Sequence, residues 1–302
     1  MSETWPITDV TDWRVAGVET QGFNPHDWLK HDDEPRTWLF KPAREGRDRS
    51  IGEDVVEKLA CELAQTFGVP AATVRLAQRG GVRGALVEDA RPSGWDIQAG
   101  QALLPEAVRD YNPKDRQQRG HSVQVVRAVL ERFGAPPGAD LPGWFRAFDT
   151  FAGYLIFDAL VAHTDRHARN WAVLLPPPDS GACEALCPSF DHASSLGHNV
   201  SQEARDQHLR EGTVLDWARK GVTTRFERGA GGRRQSLVEL AASAACLCAS
   251  GTRSHWRLRV VSVGRDEVEA MVRAAPGVTD LTVAFIVEVV MANRSRLLDV
   301  LP

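Results

Sequence analysis

Between Gly52 and Phe67 the apolar residues Val55, Val56, Leu59, Ala60, Leu63, Ala64 and Phe67 recur at helical spacing, and Gly68 and Pro70 end the pattern. An amphipathic helix is predicted there. The chain around it reads as short strands. Trp13 to Glu19 is bulky and β-branched, and Gln21, Gly22, Phe23, Asn24 and Pro25 give a turn before Trp28 to Lys30. The simplest reading is an antiparallel pair. After the polar stretch HDDEPR, Thr37 to Phe40 carries a third strand to Lys41, and Pro42 stops it. Strands at Thr73 to Leu76 and Val82 to Glu88 follow, split by the turn Arg79-Gly80-Gly81.

Beyond Pro92 helical periods dominate. Trp144, Phe145, Phe148, Phe151, Ala152, Leu155, Ile156, Ala159 and Leu160 form a broad apolar stripe, predicting a long central helix. Further helices are expected at Ser122 to Phe133, Ser236 to Cys248 and Leu281 to Leu298. Gly134 to Pro142 and Leu175 to Gly181 read as loops, and the Arg- and Gly-rich stretch Phe226 to Gln235 as a mobile surface loop. The class is therefore α+β in two lobes. Residues 1–91 would form a small antiparallel-sheet lobe with one helix, and residues 92–302 a larger, mainly helical one.

Composition narrows the setting without changing that picture. With 302 residues, 43% hydrophobic and 25% charged, the chain can bury a sizeable core. A formal net charge of −4 argues against a general nucleic-acid binder. The start MSETWPITDV lacks the features of a signal peptide and no long apolar run occurs, so a cytoplasmic protein without a membrane span is expected. Five cysteines without a CxxC pair suggest neither a zinc site nor a disulfide framework. No internal repeat is visible.

The candidate chemistry follows the long helix. His163-Thr164-Asp165-Arg166-His167-Ala168-Arg169-Asn170 leads into the apolar run Trp171 to Leu175, and Ser189-Phe190-Asp191-His192 comes after a short hairpin. A carboxylate, an amide five residues on and a second carboxylate beyond a hairpin suit phosphoryl transfer. Asp165 would position an acceptor hydroxyl and receive its proton, while oxygens of Asn170 and Asp191 would hold magnesium. Each residue also has a plain structural reading, as a loop cap, a turn-forming amide or a strand-end lysine. His163 and His167 stand at i, i+4 without an evident third ligand, so loop support is preferred over metal binding.

Asp165-Arg166-His167-x-x-Asn170 resembles the DRHxxN catalytic loop of phosphatidylinositol kinases. The fuller context, HTDRHARNW and then SFDHASSLG, looks most like the HipA-like serine/threonine kinases, and GFNPHDWLKHDDEPRTWLFKPA is similar to that family's phosphate-loop hairpin and lysine strand. The resemblance runs from Val15 to Gly197. It implies a two-lobed protein-kinase-like fold and an ATP- and Mg2+-dependent kinase. Lys41 would contact the α- and β-phosphates, with Glu57, in preference to Glu53, paired to it. Gly22, Asn24 and His26 would lie over the phosphates, backbone groups near Val87 and Glu88 would meet adenine, and His167 would support the catalytic loop. The sequence departs from the pattern in lacking GxGxxG and the serine that some of these kinases phosphorylate to switch themselves off. The resemblance implies a serine or threonine of a protein as acceptor. A small-molecule alcohol remains a second reading, and a pseudokinase that only binds nucleotide a third.

Overall fold

The computed structural model describes residues 4–19, 25–44 and 51–302; Gly22 and Asn24, expected to lie over the phosphates, fall outside them. The first lobe is a six-stranded sheet in the order β1 (Ile7–Asp9), β5 (Val74–Arg79), β6 (Val82–Glu88), β4 (Trp38–Pro42), β3 (His26–Lys30), β2 (Arg14–Glu19). All neighbours are antiparallel except β1, which pairs parallel to β5. This three-residue strand was not anticipated; ITD is too short for an alternation to show.

Because side chains alternate across a strand, β4 sends Trp38 and Phe40 to one face and Leu39 and Lys41 to the other. Register places Leu39 opposite Val87 and Lys41 opposite Ala85. Trp38 and Phe40 join an outer core with Val10, Trp13, Leu29 and Leu86. Leu39, Ala85 and Val87 join Cys61 of α1 (Glu53–Phe67) on the inner face. The period of two thus puts Lys41 among apolar residues on the face that looks toward the second lobe.

In that lobe α4 (Ala147–Leu160) is the central element, and every one of its residues except Asp149 is buried. It starts three residues later than the stripe implied, since Trp144 projects into solvent. Around it lie α2 (Gly100–Ala107), α3 (Val123–Leu130), α5 (Gln202–Arg210), α6 (Val214–Arg219), α7 (Leu237–Cys246), α8 (Ser250–Ser262), α9 (Arg265–Arg273) and α10 (Asp280–Val300). A small antiparallel sheet joins β7 (Asp96–Ala99), before α2, to β8 (Ala172–Leu175) and β9 (Ala185–Leu186), which follow the His163 to Asn170 segment. Phe67 at the end of α1 stacks on Trp256 of α8 at 5.9 Å and meets Phe157 of α4 at 6.0 Å. One apolar cluster therefore runs from α1 into the helical lobe.

The stretch Phe226 to Gln235 is not the free loop the composition suggested. Phe226 is buried, and the Thr223 amide donates to the Gln235 carbonyl at 2.8 Å. No helix among the described residues is long and apolar enough to cross a membrane.

Where α4 meets α8, a β-carbon on Gly153 would lie 2.2 Å from the Trp256 ring. Gly153→Ala gains about 1 kcal/mol of helix propensity but overpacks the core at a cost of about 1–3 kcal/mol. A lower urea midpoint is expected; an unchanged or higher one would mean that α8 yields freely.

Candidate active site

α4 ends at Leu160, and the chain turns sharply through Val161 and Ala162, the latter at φ 56°. The segment His163 to Asn170 then folds into tight turns: the His167 amide donates to the Asp165 carbonyl at 2.7 Å and the Asn170 amide to the His167 carbonyl at 2.8 Å. Asn170 Nδ2 also donates to the Asp165 carbonyl at 2.9 Å. That donation leaves Oδ1 as the acceptor end of the amide. His167 Nδ1 accepts the Arg169 amide at 3.2 Å, the loop-supporting part expected of it.

Arg166 fixes this loop from beneath. Its guanidinium donates to both oxygens of Asp158, Nε to Oδ2 at 2.9 Å and Nη2 to Oδ1 at 2.6 Å, and Nη1 donates to the Asn170 carbonyl at 2.8 Å. Both side chains are 3% exposed. A longer contact of 3.5 Å reaches the carbonyl of Phe190, the residue before Asp191. Asp191 has φ 63°, a left-handed conformation that aspartate tolerates better than most residues and that concentrates at functional sites.

A cleft of about 550 Å3 lies between the sheet and this loop. Lys41, Glu57, Val87, Glu88, Asp165, His167, Asn170 and Asp191 all line it, together with His26. Its apolar wall includes Leu39, Ala72, Ala85, Ile97 and Ala172. These residues come from both sheets and four separate stretches of chain.

The charges inside it are arranged differently from the expectation in one respect. Lys41 Nζ pairs with Asp191 Oδ1 at 2.8 Å and forms no hydrogen bond to Glu57. Burial would lower the lysine pKa, but attraction to Asp191 and then to Glu57 outweighs it and the pKa rises. Burial would raise Asp191, yet Lys41 beside it holds the carboxyl well below its usual range. The pair remains 23% and 38% exposed, so solvent screens part of its attraction. Glu57 is 1% exposed, and burial pushes its pKa up to about 7 against the pull of Lys41. The backbone amides of His192 and Ala193 also favour its charged form, without closing a well-formed bond. The ammonium thus closes on the carboxylate that ionises more readily. Glu53, the alternative partner, lies 3.8 Å from Arg44 at the rim.

Glu57, Cys61 and His192 bring ligand-type atoms within 4.8 Å of one another, a grouping that cysteine spacing did not reveal. His192 Nε2 is already bonded to Ser189 Oγ at 2.8 Å. Val87 and Glu88, near which adenine contacts are expected, both line the cleft: Val87 is in register with Leu39 and Val74, and the Glu88 amide donates to the Thr73 carbonyl at 2.9 Å. These backbone groups serve the sheet, Val87 offers the cleft its side chain, and the wall continues through Asp89, Ala90 and Arg91.

Two contributors were not foreseen. Arg225 Nε donates to Asp165 Oδ1 at 2.5 Å. The Arg225 carbonyl accepts from His121 Nδ1 at 2.6 Å, and Trp171 Nε1 donates to His121 Nε2 at 3.1 Å. An indole only donates, so the His121 proton sits on Nδ1, and burial lowers its pKa to about 4. Neither residue belongs to a local motif, and a lone histidine and a loop arginine carry no signal of their own.

A sheet lobe carrying Lys41, a helical lobe carrying the His163 to Asn170 loop and Asp191, and a cleft between them define a protein-kinase-like fold. The chain aligns with the proinflammatory kinase CtkA of Helicobacter pylori over 98% of its own length and 97% of that chain, at TM-score 0.73 and 12% identity. It aligns with HipA of Shewanella oneidensis MR-1, solved with HipB and operator DNA, over 98% of its own length and 65% of that chain, at TM-score 0.51 and 10% identity. At such identities the likeness is one of fold. The family is shown by sequence: the HipA-like C-terminal domain model matches residues 13–246, and the chain belongs to that family. Curated proteins give no match to the sequence.

Two outcomes follow from this electrostatic arrangement. Asp158→Ala leaves the Arg166 guanidinium buried without its counter-ion and should destabilise the protein by about 3–5 kcal/mol, seen as a large drop in thermal midpoint; a drop of a degree or two would show the pair to be dispensable. Glu57 in the folded state holds its proton more tightly than at its ordinary value of 4.5, so it removes stability as pH rises from there through about 7. Glu57→Gln should accordingly stabilise the ligand-free protein by up to about 3 kcal/mol at pH 8 and by only about 1 at pH 5. Denaturation at the two pH values checks this, and a gain independent of pH would contradict it.

Proposed function

We propose that the protein is an ATP- and Mg2+-dependent phosphotransferase acting on the hydroxyl of a serine or threonine in a protein. The observation that carries the reading is the convergence of Lys41, Asp165, Asn170 and Asp191 on one cleft with an apolar wall. Its volume of about 550 Å3 lies in the range of small-molecule sites.

The residues fit the groups this chemistry needs. A flat base suits the slot formed by Leu39, Ala72, Ala85, Val87 and Ile97. Lys41 supplies a fixed positive charge for nucleotide phosphates, and His26, whose Nδ1 is buried without a partner, stands at the same opening. Oxygens of Asp191 and Asn170 are the donor type that a hard divalent cation takes. Bound there, magnesium would neutralise charge on the nucleotide phosphates. Lys41, already flanked by Asp191 and Glu57, would turn to the phosphates and to Glu57 as Asp191 takes up the cation.

Asp165 then orients the acceptor hydroxyl. As the hydroxyl oxygen bonds to the γ-phosphorus and the bridging β–γ bond breaks, ADP leaves and the hydroxyl proton passes to the Asp165 carboxylate. Proton transfer to a positioned base is worth about 10²–10⁴-fold. Membership of the HipA-like family supports the protein acceptor, and fold alone does not select it. The localisation read from the sequence, cytoplasmic, is part of the same proposal.

With labelled ATP, magnesium and a cell lysate, wild-type protein should transfer label to protein bands. Asp165→Asn should lower that transfer by about 10²–10⁴-fold while nucleotide affinity stays near wild type, and Asp191→Asn should weaken magnesium-dependent nucleotide binding. Full transfer by Asp165→Asn would remove the assigned base; label appearing only in small molecules would replace the protein acceptor.

A further inference from the structure

Between α6 and α7 the chain runs back to the catalytic loop. Val222 bridges Ser236 in antiparallel fashion, and the Gly229 amide donates to the Arg233 carbonyl at 2.9 Å. The result is a hairpin whose base is bolted in place: Phe226 stacks on His121 at 4.2 Å, the Glu227 amide donates to the His121 carbonyl at 2.8 Å, and Thr224 Oγ1 donates to the Thr164 carbonyl at 3.2 Å. Arg225, at that base, holds Asp165.

The charge of this hairpin runs against that of the molecule. The chain carries a net −4, whereas the hairpin from Val222 to Ser236 contains four basic residues and one acidic one. Glu227 turns inward, its Oε2 accepting the Gly120 amide at 3.3 Å. Arg219 and Arg233 are matched by Asp216 and Glu239. Arg228 donates only to the Gly232 carbonyl, and neither its guanidinium nor that of Arg234 meets a carboxylate among the described residues. A solvated basic turn would show the same composition, but it would not need a buried neutral histidine to fix its first arginine on the carboxylate that faces the cleft.

We infer that the acceptor is an acidic segment of a protein, a serine or threonine flanked by aspartate or glutamate, which the Arg225 to Arg234 hairpin recognises. This deepens the phosphotransfer reading and rests on it. A carboxylate beside the acceptor residue draws the Arg225 guanidinium away from Asp165, which frees Oδ1 to take the hydroxyl proton. A neutral acceptor leaves the base engaged. Arg228 and Arg234 extend the positive field along the bound chain, which a small anionic alcohol would not use. Such a field steers oppositely charged partners and disfavours like-charged ones.

Three synthetic peptides, identical except that the acceptor serine is flanked by Glu, Gln or Lys, test this with Mg-ATP. The Glu peptide should exceed the Gln peptide by about tenfold or more in kcat/KM at low salt, with the gap shrinking as ionic strength rises, and the Lys peptide should be poorest. Arg225→Gln should erase the preference, Arg225→Lys should keep part of it, and Arg228→Ala with Arg234→Ala should narrow it through KM. Equal rates, or a preference for Lys, would overturn the inference while phosphotransfer stands. Labelling of lysate proteins without labelling of any of the three peptides would overturn it in the same way. Absence of magnesium-dependent nucleotide binding would instead remove the reading beneath it.

Discussion

The rest of the site depends on an ion pair that never reaches solvent. Arg166 and Asp158 are both 3% exposed, and the guanidinium spends its donors on the two Asp158 oxygens and on the Asn170 carbonyl. A buried ion pair is a poor source of net stability, because desolvation offsets most of the attraction. Its effect is geometric. The fork geometry of the guanidinium locks the last turn of α4 to the far end of the catalytic loop, and its reach to Phe190 brings in the residue before Asp191. Asp165 and Asn170 are then held at the two ends of a loop that cannot unwind without exposing a charge.

Above that anchor, three of the carboxylates that line the cleft are each in a different condition. Asp191 is paired and held ionised, Glu57 is buried with a pKa near 7, and Asp165 is covered by Arg225. Differences of this kind come from environment, since burial raises an acid and a neighbouring cation lowers it. The arrangement makes charge exchange the easy motion: Lys41 has a second carboxylate within its field, and Arg225 is partly exposed where it meets Asp165.

The sequence was most informative where chemistry is local. Lys41, Asp165, Asn170 and Asp191 come together in the cleft because each sits at a strand end, loop or hairpin whose pattern is readable within a few residues. The strands β2 to β6 of the large sheet and the helices α1, α3, α4, α7 and α10 were legible for the same reason. Elements without a periodic apolar face were not. α5, QEARDQHLR, buries only Arg205, and α8, SGTRSHWRLRVVS, buries only Thr252, Trp256 and Val260. α2 contains Pro105, a residue that ordinarily interrupts a helix. Arg225 and His121 are more than a hundred residues apart in sequence, so only folding relates them. The Arg- and Gly-rich composition around Arg225 suits the exposed tip of the hairpin and missed its base, where Phe226 is buried.

The helix that carries Glu57 sets which partner moves. α1 presents Glu57 and Cys61 to the cleft side and Phe67 to the helical lobe, where Phe67 stacks on Trp256 and meets Phe157. Swinging α1 outward would strip the Phe67 ring from that cluster, at about 1.5–3 kcal/mol for the side chain alone, and would expose Leu59, Leu63 and Ala64 with it. A lysine changing partners between two carboxylates needs only side-chain rotation. The apolar bond between the lobes therefore fixes Glu57 in position and leaves the adjustment to Lys41. The pairing of Lys41 with Asp191 is thus an adjustment of side chains on a fixed helix.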